Sequence, residues 1–397
     1  MSWIITSDQV SPPGDAAITY GITNAGGVFN LRSTGTVDYE AEWGDGNVEI
    51  STLNVLPHTY TAGDYSVVVY SDGVYRPYFN NVTADVTQIT SVVIGSGANL
   101  GTSLDSAWET AINLATFTCP FDATSSVTNF VDSWRRCNSL TSFPLIDTSS
   151  GTSFSYAWYN CSSLTSFPLL NTSSGTSFFA AWSNCSNLAS FPLLIMSSGT
   201  DFGRAWNSCS SLTSFPLVNT SSSATFAATW EGCSNLASFP LLNMSSSTSF
   251  VYTWNNCTSL TSFPLVNTSS GTNFTATWAS CSSLTSFPLL NTSSGADFRS
   301  AWAFCSSLSD FPANMFDTTG ALIAAAFNNA WRNCALTAQS IENILVSLDT
   351  NGATGISLGI DGGTNADTST WSAAANAAWL SLDAKGWNIN QNGPDPT

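Results

Sequence analysis

The chain has 397 residues, of which 43% are hydrophobic and only 9% charged, and its 26 acids against 8 bases give a formal net charge of −18. That length leaves room for two or three domains with a sizeable core, and the acidic balance argues against nucleic acid or an anionic membrane as partner. No apolar run of about eighteen residues occurs, so no membrane-inserted helix is expected.

In chain order, the opening Met1–Val10 lacks a basic start and a continuous apolar stretch, and so does not read as a signal peptide. Residues 1–16, with Pro12, Pro13 and Gly14, are expected to form an N-terminal arm that docks onto a larger particle. Residues 17–94 alternate in short β-type runs such as Val28–Leu31, Val37–Trp43 and Tyr65–Tyr70, with Gly and Asp at the turns. The pattern predicts a small antiparallel sandwich.

The central region is built from repeats. Tryptophan recurs at Trp108, Trp134, Trp158, Trp182, Trp206, Trp230, Trp254, Trp278, Trp302 and Trp331, and seven of the nine intervals are 24 residues. Cysteine follows three residues later at Cys137, Cys161, Cys185, Cys209, Cys233, Cys257, Cys281, Cys305 and Cys334; the first unit has Ala111 instead. Each unit reads F-x-x-x-W-x-x-C-x-x-L-x-x-F-P-L and then a polar T-S-S-G-type turn. Phe154, Ala157, Trp158 and Cys161 fall at i, i+3, i+4 and i+7, which predicts a helix of about two turns capped by the Ser and Thr just upstream. Leu164, Phe167 and Leu169 are expected to carry the apolar face onward through a short strand, which Pro168 must interrupt. A unit this small cannot bury its aromatics alone, so neighbours must stack, Trp over Trp and Cys over Cys. The expected fold is a mixed α/β repeat solenoid of about ten coils over residues 95–334, forming a rod on the order of 45–50 Å long at strand-like spacing.

After the array, Thr337 is a plausible N-cap for a helix with Ile341, Ile344, Leu345 and Leu348 on one stripe, stopped near Gly352. Residues 369–385 suggest a second helix ending at Gly386, and Trp387–Ile389 a last strand, so 335–397 reads as a helical C-terminal cap. Open ends of a repeat array need such covers.

Two resemblances follow from these motifs. Trp43-Gly44-Asp45-Gly46, His58-Thr59-Tyr60 and Gly63-Asp64-Tyr65 resemble the signature of PKD-like domains, which implies an immunoglobulin-like sandwich and a structural hydrogen-bonding role for His58. The front domain, the link Ile89–Gly95 and units ending in C-S-S-L-T-S-F are similar to BspA-like leucine-rich-repeat surface proteins, bacterial or encoded by tailed phages, which are linked with adhesion. The chain departs from that pattern in placing Trp where many members have Phe, and in showing no lipoprotein or sorting signal.

Candidate chemistry is sparse. His58 is the only histidine, so any triad or histidine-containing metal site depends on it. Asp38, Glu40 and Glu42 alternate along one stretch close to Asp45, which allows carboxylate-pair hydrolysis or weak Ca²⁺ binding but more commonly marks a solvated face. No C-x-x-C spacing occurs, and the cysteine ladder suits either free thiols in a tight corner or bridges between coils; Cys119 lies outside the register. No motif calls for a cofactor or a metal.

Variation among the copies marks a different surface. The residues after the helix Phe, and those between Trp and Cys, change freely and should lie opposite the buried stripe, forming one outer ridge. It carries Tyr156, Tyr159, Phe179, Tyr252 and Phe304 together with Arg135, Arg136, Arg204, Arg299 and Arg332. Exposed aromatics beside Arg suit sugar rings or the carboxylates of a host-surface glycan or protein receptor. The reading is a non-enzymatic adhesin or structural protein at a virion surface or outside the cell, assembled with virion proteins or with itself as a homo-oligomer. A self-assembling filament or lattice subunit is the alternative, and an ice-binding solenoid ranks below it.

Overall fold

The computed structural model describes residues 17–34, 38–71, 73–79 and 83–396; the expected N-terminal arm lies outside them. The N-terminal region is sheet. Strands β1 (Ala17–Thr34), β2 (Tyr39–Glu42), β3 (Val48–Ser51), β4 (Val55–Ser71), β5 (Arg76–Pro77) and β6 (Ile89–Ile94) are followed by β7 (Thr116–Thr118), and a one-turn helix α1 (Thr83–Val86) precedes β6. Alternate residues of the long β1 and β4, among them Tyr20, Ile22, Phe29, Leu31, Val67 and Val69, are buried, as the alternation predicts.

The strands lie on one hydrogen-bonded path, β3-β2-β4-β1-β6-β7, with β5 on β1. The reason is the length of β1 and β4, which pair over fifteen residue pairs from Ala17↔Tyr70 to Arg32↔Val55. The path also continues into the repeats, because β7 runs parallel to β6 from Ser91↔Thr116 to Val93↔Thr118. No barrel forms.

Beyond β7 the 24-residue units lie one against the next. Parallel bridges link Ser103, Asn129, Ser153, Ser177, Asp201, Thr225, Ser249, Asn273 and Asp297 in succession. Ten tryptophans stack in nine steps of 5.0–5.8 Å between ring centroids, with planes tilted by 21° in the first step and 5–8° in the rest. A phenylalanine column flanks each side. Phe154 stacks on Phe178 at 5.4 Å, and Phe167 stands edge-on to Trp158 at 4.8 Å and to Trp182 at 5.3 Å. The T-S-S-G glycines keep the first column tight: a Cβ on Gly175 would lie 2.5 Å from the Phe178 ring and 3.1 Å from that of Phe154. Where Ser223 and Ser247 replace glycine, the Phe202–Phe226 and Phe226–Phe250 steps open to 6.1 Å.

The segment from Phe to Cys is not helical. In the unit of Trp158, Ala157 N–H donates to Phe154 O at 3.1 Å and Cys161 N–H to Trp158 O at 3.2 Å, closing two successive four-residue turns. Their third residues, Tyr156 and Asn160, have φ of 56° and 59°, the mark of type II turns and forbidden inside an α-helix. The stack explains the choice. The N–H groups of Phe154, Tyr156, Trp158 and Asn160 all donate to carbonyls of the following unit, at 2.7–2.9 Å. A helix would have turned those donors along its own axis. The upstream side chains accordingly cap turns: Asn129 Oδ1 accepts from Val131 N, and Asp201 Oδ1 from Gly203 N.

The expected strand of the L-x-x-F-P-L segment is also absent. Pro168 has no N–H, and Leu170 N–H turns back to Pro168 O at 2.9 Å, an inverse γ-turn with Leu169 at its apex. Leu164, Phe167 and Leu170 are buried, whereas Leu169, expected in the apolar set, points outward.

The nine ladder cysteines are free and buried. Each thiol donates to the carbonyl of the tryptophan in the preceding unit, from Cys137 Sγ to Trp108 O at 3.4 Å through Cys334 Sγ to Trp302 O at 3.0 Å. The first unit has no preceding tryptophan, which explains Ala111. At the far end the buried Asn365 Nδ2 donates to Trp331 O at 2.9 Å in place of the next thiol.

The cap follows the sequence closely. Helix α2 (Ala338–Asn351) starts at Thr337, whose Oγ1 accepts from Ser340 N, and stops at Gly352 with φ 78°. Strand β8 (Ser357–Gly359) extends the ladder by accepting from Phe327 N and Trp331 N; α3 (Ala373–Ala384) and β9 (Asn388–Asn390) follow, β9 parallel to β8. No helix among the described residues is long and apolar enough to cross a membrane.

Two measurements check this account. Ser208 occupies the left-handed position, φ 59°, that Gly232 fills one unit later. Ser208→Gly should therefore stabilise the protein by about 1 kcal/mol in chemical denaturation, whereas in a helix it would destabilise by a similar amount. The second concerns the thiols. Burial pushes Cys185, Cys233 and Cys305 up to about 12 from 9.0, so the unfolded chain ionises first and stability is lost as pH rises above about 9. The loss is on the order of 1.4 kcal/mol per thiol per pH unit. In reducing buffer the unfolding free energy should fall steeply between about pH 9 and 11. A Cys161→Ala, Cys185→Ala, Cys209→Ala variant should show a slope smaller by about three protons; an unchanged slope would sink the buried-thiol account.

Candidate functional site

The outer ridge is built by the two turns of each unit. Their middle residues leave the stack, but not all of them are free. Tyr156, Arg204 and Tyr252 extend outward at the left-handed position of the first turn, whereas the corresponding Ala180, Ala228 and Ala276 are buried. Large and small residues alternate because units this close cannot each seat a large side chain at one position, and the expectation of a uniformly unconstrained ridge is corrected accordingly.

One cluster gathers several of the predicted residues. The Arg135 guanidinium lies over the rings of Tyr156 and Tyr159, at 5.3 and 5.4 Å. Tyr156 meets Tyr159 edge-on at 5.7 Å and Phe179 at 5.3 Å. Two carboxylates hold Arg135: Glu109 Oε1 at 3.2 Å and Asp132 Oδ1 at 3.3 Å. Sequence reasoning missed these anchors. Asp132 lies three residues before Arg135 in the same unit, whereas Glu109 lies on the unit before, and only the register between units brings it under Arg135. Burial raises the Asp132 carboxyl to about 6; Arg135 opposes the rise, and the charges of Glu109 and Asp105 add to it.

The other predicted residues are dispersed. Burial raises the Glu231 pKa; the exposed Arg204 nearby opposes the rise, as does Asn207, whose Nδ2 donates to Glu231 Oε2 at 2.9 Å. Arg299 pairs with Asp297 at 2.7 Å, and Arg332 lies 3.8 Å from Asp361. Tyr252 and Phe304 are exposed without a ring partner, and Arg136 is exposed on its own turn.

In the front sheet, His58 is committed to structure. Its ring stacks on the buried Trp43 at 4.5 Å, its Nε2 lies 2.8 Å from Asp45 Oδ2, and Tyr60 Oη donates to Trp43 O. That contact with His58 is the main cause holding Asp45 below its ordinary pKa. Gly44 is required in the same turn, since at φ 79° a Cβ would lie 2.5 Å from Ser66 O. Glu40 and Glu42 share one face of β2; partial burial and then Glu42 raise the Glu40 pKa. Asp38 lies exposed just before the strand. No group of three or more His, Cys, Asp or Glu side chains among the described residues is placed to hold a metal.

No family model matches the chain, and no curated protein matches it. The cluster around Arg135 thus stands on its own chemistry: aromatic rings grouped round a planar guanidinium whose charge Glu109 and Asp132 already meet, a surface able to stack on a sugar face.

Asp132 gives this site a measurable signature. Its folded pKa is raised, so its contribution to stability is full below about 3.8 and lost as pH rises through about 6. Asp132→Asn should be more stable than the wild type at pH 7 and lose that advantage towards pH 4, as read by thermal midpoints across that range.

Proposed function

We propose that the stacked units form a leucine-rich-repeat-like solenoid of the BspA-like kind, mounted on a PKD-like front domain, and that the protein is a recognition module and not an enzyme. The setting that suits it is a virion or cell surface, where a phage fibre or decoration component meets its host. The observation that carries this reading is the grouping of Arg135, Tyr156, Tyr159 and Phe179 on the outer turns of a stack whose interior aromatics are fully used in packing. Supporting it, the one histidine is bound into a structural contact, and hydroxyls rather than charges cover the repeat surface. The ligand class is an extended surface polymer with sugar rings, bound weakly per site.

A glycan array tests it. Tyr156→Ser with Tyr159→Ser should lower binding to surface polysaccharides by about 10-fold or more, from stacking terms of roughly 0.5–1.5 kcal/mol per ring and the lost guanidinium contact. An unchanged far-UV spectrum would establish that the fold survives. Equal binding by the two proteins, or binding by neither, rules the cluster out as the receptor site.

A further inference from the structure

The residue after the Phe-Pro pair is an exposed leucine in seven successive units, and in five of them it stands at the apex of a γ-turn. Leu145 and its six successors at 24-residue spacing, through Leu289, are 50–64% exposed, and Phe121, one unit ahead of Leu145, is 55% exposed. The row is held by backbone geometry: Leu170, Leu194, Val218, Leu242 and Val266 each donate to the proline two residues before, which turns the intervening leucine outward. A half-buried proline accompanies each leucine, as Pro168 does Leu169.

Two features separate this face from ordinary surface. The first is constancy. Between Leu140 and Leu289 the segment L-T-S-F-P-L recurs seven times with only Thr/Ala exchange at its second position, while the first-turn ridge position runs through Tyr156, Ala180, Arg204, Ala228 and Tyr252. The exposed leucine fills no space in its own chain's core, so internal packing does not explain its retention in all seven copies. The second is that the row is apolar as well as uncharged, in a chain of net charge −18 whose repeats are otherwise covered by hydroxyls and amides, so no like-charge repulsion opposes its burial against a second copy.

We propose that the leucine row is a dimer interface and that its occupant is the same row of a second copy of this chain, packed about a two-fold axis. A second copy supplies an apolar row of identical pitch, so the leucines of one interleave with those of the other. The exposed leucines present on the order of 700 Å² of apolar surface, above the size of patch that monomers commonly leave uncovered. That is close to the roughly 800 Å² per partner of a stable interface. A two-fold contact also closes on itself and yields a dimer instead of a fibre. The face lies on a different segment of the unit from the cluster around Arg135, so a dimer leaves two copies of that cluster open. The proposal goes beyond the receptor reading and does not depend on it.

Light scattering coupled to gel filtration tests it on the full chain at micromolar concentration. The wild type should run at twice the chain mass. Leu169→Ser, Leu217→Ser, Leu265→Ser should run as a monomer with an unchanged far-UV spectrum, and Tyr156→Ser should remain a dimer. Should the triple variant fail to fold, Leu217→Arg alone, which sets like charges face to face in the middle of the row, should give the monomer. A monomeric wild type, a dimer that survives either leucine variant, or ordered polymers in place of dimers would overturn the proposal, as would a wild-type monomer that instead floats with neutral phosphatidylcholine vesicles. Glycan binding is a separate readout, so loss of the dimer and loss of the receptor site are told apart.

Discussion

The structure depends on register between neighbouring units, and register is held by the tryptophan and the cysteine together. The indole ring stacks on the next indole, while the backbone carbonyl of the same tryptophan accepts the thiol of the following unit. One residue thereby fixes both the side-chain column and the distance between main chains. A slip between units would break both at once, because ring and carbonyl are covalently tied. The two ends show the same constraint by exception, with alanine where no earlier carbonyl exists and an asparagine amide where no later thiol does.

Register carries a local cost. Two residues per unit adopt left-handed backbone, many of them neither glycine nor asparagine, such as Tyr156, Ala180 and Arg204. Strain of that kind persists only where the surroundings over-determine it, and here each strained residue donates its N–H to the next unit. The indole nitrogens are a second cost: all ten in the column are buried without a hydrogen-bond partner. Stacking and edge-on contacts to the two phenylalanine columns offset it, and because every unit repeats the arrangement, the gain accumulates with length.

The division of the surface follows from the same geometry. Positions inside the stack are fixed by ring contacts, and the left-handed position of the first turn alternates between large and small residues from Tyr156 to Ala276. Tyr156 and Arg204 are large because Ala180 between them is small. The cluster at Arg135 is a local consequence, since it needs Tyr156 and Tyr159 on one unit, Arg135 on the unit before, Phe179 on the unit after, and Glu109 one unit earlier still. The leucine row needs no such coincidence and is the same in seven successive units.

By itself the sequence determined the repeat, its length, the stacking of Trp and Cys, both cap helices with Thr337 and Gly352 at the ends of the first, and the ridge residues as a set. It did so because spacing and composition report which side chains must be buried together. It misread the backbone between them: Phe154, Ala157, Trp158 and Cys161 suit two four-residue turns as well as a two-turn helix, since periods of 4 and 3.6 barely diverge over eight residues. What decided for turns and for Glu109 under Arg135 was hydrogen bonding between units, with partners 23 or more residues away, where no local pattern reaches. The outward Leu169 follows from a local bond, Leu170 N–H to Pro168 O, that apolar periodicity does not report.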